Sequence, residues 1–429
     1  MAHRRIPLAA LRVGMHVTKI DRRWFWSPLL FHSFLVRTVE QIDSLRRHGV
    51  KEVEIDPSRG RDVDVIEKPG TEDGARGWTS DTRFPASPSQ EIPVPSLHAL
   101  SQDLSLAREA RRRLEQSIHS IFSDISTTGL VEPEEARKII LDMRAVTQSI
   151  ALPAWFMALS QDRADDPLLS QHAMATCGLS MVLAHAAGLD LPALQSVATG
   201  ALLHDIGLLQ LPTYLRRRCH ETSAPLSRQE QMLYQSHARV SAVALERQGL
   251  FSPSICQLVA DHHALLDNTG FPQETQGAFT SDMTRIVMVT DRYDELLRGF
   301  GGASPLTPHQ ALQRLYQEGQ AGKYECRYIA SFIKLLGIYP VYSCVQLNTG
   351  ERAVVTVTNS HRLHQPVVTI THDADGAPYP VALTIDLANQ DDRAPARSIA
   401  ALIENGPSVL DQPVVPDWRN QPQNTAHQK

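Results

Sequence analysis

The chain has 429 residues, enough for two or three domains and a large core. Its 42% hydrophobic and 21% charged residues are those of an ordinary soluble protein, and a net charge of -5 argues against a general nucleic-acid binder such as a DNA-binding protein, which carries a basic face. Cys177, Cys219, Cys256, Cys326 and Cys344 form no CxxC, which speaks against a zinc ribbon or disulfide framework and for buried free thiols.

The N-terminal MAHRRIPLAALRVGM is basic but lacks the sustained apolar core of a signal peptide, and no run approaches the length of a transmembrane helix. A cytoplasmic protein without a membrane segment is therefore expected. Residues 1–56 read as a small α/β domain. Thr38 to Gln41, TVEQ, has the form of a helix-start capping box, Gly49 is a helix stop, and Val53 and Ile55 alternate as in a strand. Trp24, Phe25, Trp26, Phe31 and Phe34 are an aromatic supply for its core.

Residues 57–96 are rich in Pro, Ser, Gly and charge, without sustained periodicity, which predicts a linker. From Leu97 the three-four spacing of Leu97, Leu100, Leu104, Ala107, Leu114, Ile118, Ile121 and Ile125 predicts a helix with an apolar seam, interrupted at Arg111. The seam suits a partner helix within the chain or across a dimer, the internal contact being the one expected. Thr127-Thr128-Gly129 ends it, and a second helix is predicted from Glu132 to about Ile150.

Farther on, ALLHDIGLLQLP sets His204 and Asp205 side by side in an apolar segment. Burying an imidazole and a carboxylate together costs several kcal/mol unless they are hydrogen-bonded or bind a metal. An isolated His-Asp dipeptide means little, and a second one, His372-Asp373, sits in a polar turn. What distinguishes His204-Asp205 is its company: His172, His237, His262, His263 and Asp291 each lie on or at the end of a segment with helical apolar spacing. Several helices can thus aim ligands at one centre. His185, on an apolar helical face, reads as core.

After the helices, Val341 to Leu347 and Arg352 to Thr358 are β-like runs joined at Asn348-Thr349-Gly350, and Val367 to Thr371 and Val381 to Leu387 repeat the pattern across Asp375-Gly376. The tail beyond about Gly406 is polar and Pro-rich.

The series H...HD...H...HH...D, followed by Gly270-Phe271-Pro272, resembles the HD-GYP family of the HD phosphohydrolases over roughly Asp142 to Pro340. Residues 1–56 resemble the small domain of unknown function that often precedes it. The resemblance implies a mainly α fold: an all-helical HD-type metal-binding domain over 142–340, entered through a small α/β domain (1–56), a linker (57–96) and a helical connector (97–141), and followed by a β-hairpin appendage (341–405) and a loose tail (406–429). It implies two divalent metal ions, iron or manganese. Asp205 would bridge them, with His172, His204 and Asp291 on one side and His237, His262 and His263 on the other. Some relatives hold a third metal through a Glu at the position of Leu168, which cannot ligate.

A two-metal centre suits phosphodiester hydrolysis by a poised hydroxide. The resemblance narrows the reaction to opening cyclic di-GMP to pGpG, and on to GMP, with His204 and Asp205 catalytic and Gly270, Phe271 and Pro272 at the substrate. It leaves room for a homodimer or a signalling partner through the N-terminal region. Four positions depart from the family pattern: Leu208 stands for the Lys of HDIGK, Ala264 for a polar residue, Phe271 for Tyr, and Gly299-Phe300-Gly301 for a DRP-type tripeptide. Lost charge-assisted contacts cost roughly 1.5 to 3 kcal/mol each, and Lys323, Arg298 and Arg292 are the cations at hand to replace them. An inactive cyclic di-GMP receptor and a hydrolase of another phosphoester are therefore alternative readings.

Overall fold

A computed structural model describes residues 4–20, 34–36, 42, 46, 51–57, 94–160, 168–220, 225–299, 303–390 and 396–403. Contacts divide the chain into two compact units, residues 1–94 and 95–429. In the first, strands β1 (Arg4–Pro7), β2 (His16–Ile20), β3 (Phe34–Leu35) and β4 (Glu52–Ile55) form a sheet in the order β1-β4-β2-β3, every pair antiparallel. The alternation at Val53 and Ile55 buries both, with Ile6, Leu8, Leu11, Met15, Val17, Val36 and Ile42. The capping box at Thr38 to Gln41, Gly49, the side chains of Trp24, Phe25, Trp26, Phe31 and Phe34, most of the predicted linker and the C-terminal tail lie outside the described residues.

The second unit opens with α1 (Leu97–Thr128), then α2 (Pro133–Ser149) and α3 (Leu152–Ser160). The Ser96 hydroxyl accepts from Ala99 N at the start of α1, and Gly129, at φ 70°, turns the chain out of its end. Leu100, Leu104, Ala107, Leu114, Ile118, Ile121 and Ile125 are buried as the spacing predicts, and the seam meets α2, α3 and the next helix, α4 (Leu168–Ala186). Arg111 is buried with them at 5% exposure. The predicted boundary at residue 142 falls inside α2.

Helix α4 is apolar nearly all round, which is the pattern of a central helix. It packs on α1, on α5 (Leu191–Leu203) and on α10 (Asp282–Arg298), where the Ser180 and Thr290 hydroxyls share a 2.6 Å hydrogen bond. His185 is not core: the last turn of α4 runs into solvent, and His185 is exposed together with Ala186, Ala187 and Gly188. After α5 come a 3-10 turn (Ile206–Gln210), α6 (Thr213–His220), α7 (Arg228–Gln235), α8 (His237–Gln248) and α9 (Pro253–Asp261). After α10 follow α11 (Pro308–Gln320) and α12 (Cys326–Leu336).

The C-terminal region is a five-stranded antiparallel sheet, ordered β8-β7-β6-β5-β9 from β5 (Cys344–Leu347), β6 (Arg352–Val357), β7 (Val367–His372), β8 (Pro378–Asp386) and β9 (Ile399–Leu402). Both predicted hairpins are present. Strand β9 is the addition, and Arg397, forked onto Glu351 at 2.7 and 3.0 Å, holds the chain leading into it. Cys177 and Cys256 are buried free thiols, but Cys326 is exposed and Cys344 half-buried. Among the described residues no helix is long and apolar enough to cross a membrane.

One glycine fixes how closely the helices converge. A Cβ on Gly207 would lie 2.4 Å from the His237 carbonyl oxygen and 2.8 Å from Ser241 N, both backbone atoms of α8. The bare backbone lets the turn after Asp205 press on the start of α8, with Gly207 N donating to Ser241 Oγ at 2.8 Å. Gly207→Ala is expected to lower stability by about 3 kcal/mol, the upper end for overpacking, read as a fall in the thermal unfolding midpoint. An unchanged midpoint would show that the turn has room to move.

Candidate metal centre

All seven predicted ligands converge, and they do so mostly from helix ends. His172 lies in the second turn of α4, His204 and Asp205 just beyond α5, His237 at the first residue of α8, and His262 and His263 directly after α9; only Asp291 comes from mid-helix, on α10. His204, His237 and His262 are 0%, 0% and 1% exposed, so their ring nitrogens face protein and not water.

Three of the imidazoles are fixed by the same local device. His204 Nδ1 is 2.7 Å from Ala201 O, His237 Nδ1 2.6 Å from Tyr234 O, and His262 Nδ1 2.7 Å from Val259 O, each the carbonyl three residues earlier. A carbonyl only accepts, so in each ring Nδ1 carries a proton and Nε2 is the nitrogen turned inward. His172 Nδ1 donates instead to Asp294 Oδ2 at 2.7 Å. Its Nε2 faces inward too.

The inward nitrogens meet in two groups. In one, His172 Nε2 lies 3.1 Å from His204 Nε2 and 3.0 Å from Asp291 Oδ1, while Asp205 Oδ2 is 3.6 and 3.5 Å from the two rings. In the other, His237 Nε2 lies 3.2 Å from His262 Nε2, and Asp205 Oδ1 is 2.9 and 3.5 Å from them. Asp205 thus turns one oxygen to each group. His263 joins the second and also approaches Asp291, with Nδ1 to Oδ2 at 3.8 Å.

Whether these residues suit cations is tested by their lone pairs. The Nε2 atoms of His237 and His262 lie 3.2 Å apart with both Nδ1 protons given to carbonyls, so the two rings when neutral set acceptor against acceptor. Asp205 Oδ1 makes the same point: it is buried and receives no hydrogen bond despite its 2.9 Å contact with His237 Nε2. Acceptors crowded in this way call for a positive charge between them, and nitrogen and oxygen donors without thiolate are those of a divalent metal. The set fits.

The ionisation of the groups differs between the two sides. Burial alone would lower the His172 pKa, but hydrogen bonds to Asp291 and Asp294 outweigh it and hold it well above the ordinary imidazole value. His204 is raised against burial by Asp205 and Asp291. Burial prevails at His262 and His263, which are lowered, His263 further by the charge of His262. Burial would raise both carboxyls, yet His204 and His237 hold Asp205, and His172 and His204 hold Asp291, well below the usual range.

Two participants on α10, Asp294 and Glu295, were not anticipated, and Arg298, expected at phosphate, serves here in another role. Asp294 orients His172. Arg298 grips Asp294 through Nε at 2.5 Å and Nη2 at 3.3 Å. Glu295 falls within ligand distance of His263 and Asp291, and burial and the nearby Asp291, opposed by Arg292, push its carboxyl up to about 7. The signal was available: Asp294 and Glu295 follow Asp291 by three and four residues and share its helix face.

The substituted positions form a surface of their own. Leu208 is buried with Leu215, Leu226 and Tyr234, and Phe271 packs on that cluster. The Phe271 ring lies 4.4 Å from that of His263, centroid to centroid, and Phe271 N donates to His263 O at 3.1 Å. A Cβ on Gly270 would meet that carbonyl at 2.0 Å, so this loop closes on the centre only with glycine. Ala264 is buried. Arg298 and Arg292, the arginines at hand for phosphate, are both engaged within the protein: Arg298 is held by Asp294 and Gln171, and Arg292 by Glu318, at 2.8 and 2.9 Å, and Glu295. Half-buried Lys323 is placed differently, its carbonyl accepting Leu266 N at 3.0 Å and its charge acting on Asp267 of the same loop.

Residues 161–327 match the HD domain family, and residues 3–136 match a domain of unknown function, DUF3391. A cyclic di-GMP phosphodiesterase of Pseudomonas aeruginosa is 26% identical over 372 residues, 86% of each chain. A 3'3'-cGAMP-specific phosphodiesterase of Vibrio cholerae is 25% identical over 36% of this chain and 35% of its own. The solved structure of an HDG"Y"P protein from Bdellovibrio bacteriovorus aligns over 78% of this chain and 99% of that one, at 15% identity and a TM-score of 0.43.

Metal ligation requires neutral imidazoles, so protons held by the raised His172 and His204 must leave when a cation enters. Cation affinity is therefore expected to weaken as pH falls from about 8 to about 6. Titration calorimetry in two buffers of different ionisation enthalpy should show net proton release. Affinity independent of pH, with no proton released, would exclude His172 and His204 as ligands.

Proposed function

We propose that this chain, in which an HD domain follows a DUF3391 domain, is a divalent-metal phosphodiesterase that opens cyclic di-GMP to linear pGpG. The observation that carries this reading is the carboxylate of Asp205, with Oδ2 turned to His172 and His204, which Asp291 joins, and Oδ1 turned to His237 and His262. We assign two cations, one to each group, with Asp205 between them and His263 completing the second. Iron or manganese suits the mixed imidazole and carboxylate donors. When bound, such a pair supplies a water of lowered pKa and positive charge against the phosphoryl oxygens.

The chain's own residues do the rest. The Nδ1 hydrogen bonds of His172, His204, His237 and His262 hold four rings in the ligating tautomer, so little reorganisation accompanies binding. Phe271, beside His263, offers an aromatic face on which a guanine base stacks, as bases do on aromatic side chains generally. Gly270 keeps that loop tight on the centre, and Pro272 completes it. Lys323 is the cation we assign to the phosphate in place of the Lys that Leu208 replaces. The similarity to the Pseudomonas cyclic di-GMP phosphodiesterase extends over most of both chains, and the Vibrio relative also acts on a cyclic dinucleotide, which supports this substrate class. The N-terminal unit we assign to signal input, through a second copy or a partner.

A second reading rests on Leu208, Arg292 and Arg298. With Leu208 in an apolar cluster and both arginines bound to carboxylates, the phosphate clamp is thin, which favours a metal-loaded receptor that binds cyclic di-GMP and turns it over slowly or not at all.

Purification under low oxygen with manganese or iron, followed by metal analysis and chromatography of cyclic di-GMP, separates the readings. The enzyme is expected to yield pGpG, Asp205→Ala to abolish conversion and metal binding together, and Phe271→Ala to weaken substrate binding by about 1 to 3 kcal/mol, read as a raised KM. Saturable binding without product supports the receptor. Cleavage of another phosphoester with no affinity for cyclic di-GMP overturns the substrate assignment.

A further inference from the structure

A buried polar chain leads from the back of His172 to the long helix α1. Asp294 Oδ2, which accepts from His172 Nδ1, also accepts from Arg298 Nε. Arg298 Nη1 donates to Gln171 Oε1 at 3.2 Å, Gln171 Nε2 donates to Glu115 Oε1 at 2.7 Å, and Glu115 Oε2 faces Arg111 Nη2 at 3.5 Å. The side chains of Arg111, Glu115, Arg298 and Asp294 are only 6%, 16%, 8% and 2% exposed. Charged groups are rarely withdrawn from water to this degree, and replacing such a set by apolar residues commonly leaves stability unchanged or improved. Arg111 illustrates the point: it interrupts a seam where Leu or Ala would pack as well. Packing alone gives no reason for it.

The two ends of the chain differ in origin. Arg111 and Glu115 lie in the stretch that matches DUF3391, whereas Gln171, His172, Asp294 and Arg298 lie in the stretch that matches the HD domain. We infer that Arg111 and Glu115 are positioning residues for the metal centre: acting through Gln171, Arg298 and Asp294, they set the angle at which His172 presents Nε2, so that the placement of α1 governs cation affinity on the His172 side. Arg298 is the pivot, since one guanidinium holds both Asp294 and Gln171. A shift of α1 that frees Glu115 from Gln171 loosens Arg298, then Asp294, then the ring. The inference rests on the reading of this centre as a cation site and does not require a particular substrate.

The test is calorimetric titration of manganese into metal-free, full-length protein. Compared are the natural chain, Glu115→Gln, the double variant Arg111→Met with Glu115→Leu, Asp294→Asn, and Ile118→Val as a conservative apolar change on the buried face of α1. Asp294→Asn is expected to weaken one binding class by roughly 10- to 100-fold, as loss of a ligand-orienting partner does. Glu115→Gln and the double variant should weaken that same class by a smaller factor, roughly three- to tenfold, and leave the other class unchanged. Ile118→Val should change neither.

A structural role alone would lower the unfolding midpoint of metal-free Glu115→Gln and leave both manganese constants unaltered; that result overturns the relay. Should Glu115→Gln fold poorly, the double variant, which leaves neither member of the Arg111–Glu115 pair behind, carries the comparison. A natural chain that binds no manganese overturns the metal reading and the relay with it. Manganese binding without turnover of cyclic di-GMP counts against the substrate alone.

Discussion

The structure depends on one constraint: imidazoles whose Nδ1 protons are given away on the outside, so that their Nε2 atoms and the carboxylate oxygens of Asp205 and Asp291 crowd together on the inside. Ala201, Tyr234 and Val259 each spend a carbonyl on the Nδ1 proton of a histidine three residues later, and Asp294 does the same for His172. Such an arrangement is unfavourable in a buried, water-poor setting unless a cation enters. The cost is distributed across α4, α5, α8, α9 and α10, so the fold as a whole holds these side chains together.

Helix ends make this possible. At the end of a helix the last carbonyls lack intrahelical donors, and a histidine placed just beyond can supply one while pointing its other nitrogen away. His204 and His262 use the ends of their own helices in this way, and His237 uses the end of α7 as it begins α8. Gly207 and Gly270 then permit close approach, the first of the turn after Asp205 to α8, the second of the Phe271 loop to His263. Asp291 differs, coming from mid-helix, and its helix face also brings Asp294, Glu295 and Arg298 to the centre.

Much of this was legible in the sequence. The spacing of Leu100 through Ile125 gave the buried face of α1, the turn residues at Asn348-Thr349-Gly350 and Asp375-Gly376 gave both hairpins, and the histidines surrounding His204-Asp205 marked the centre. What escaped has physical causes. His185 obeys the apolar periodicity of α4 but lies where that helix outruns its neighbours, which no local pattern reveals. Strand β9 is four residues with two alanines and gains its identity only by pairing with β5. Arg292 looked available for phosphate because Glu318, twenty-six residues away, reaches it only through tertiary packing, whereas the pairing of Arg298 with Asp294, one turn back on α10, was open to a reading of i,i+4 spacing.

The centre and its surroundings point in different directions, a full ligand set beside an apolar surface of Leu208, Leu215, Leu226, Tyr234 and Phe271. Ligands decide whether cations bind, and the surroundings decide how fast substrate turns over. The first question is prior, and anomalous diffraction from crystals loaded anaerobically with manganese answers it directly. The account requires two peaks roughly 3.5 to 4 Å apart, one on each side of the Asp205 carboxylate. Peaks elsewhere, or none within reach of His172, His204, His237 and His262, would contradict it.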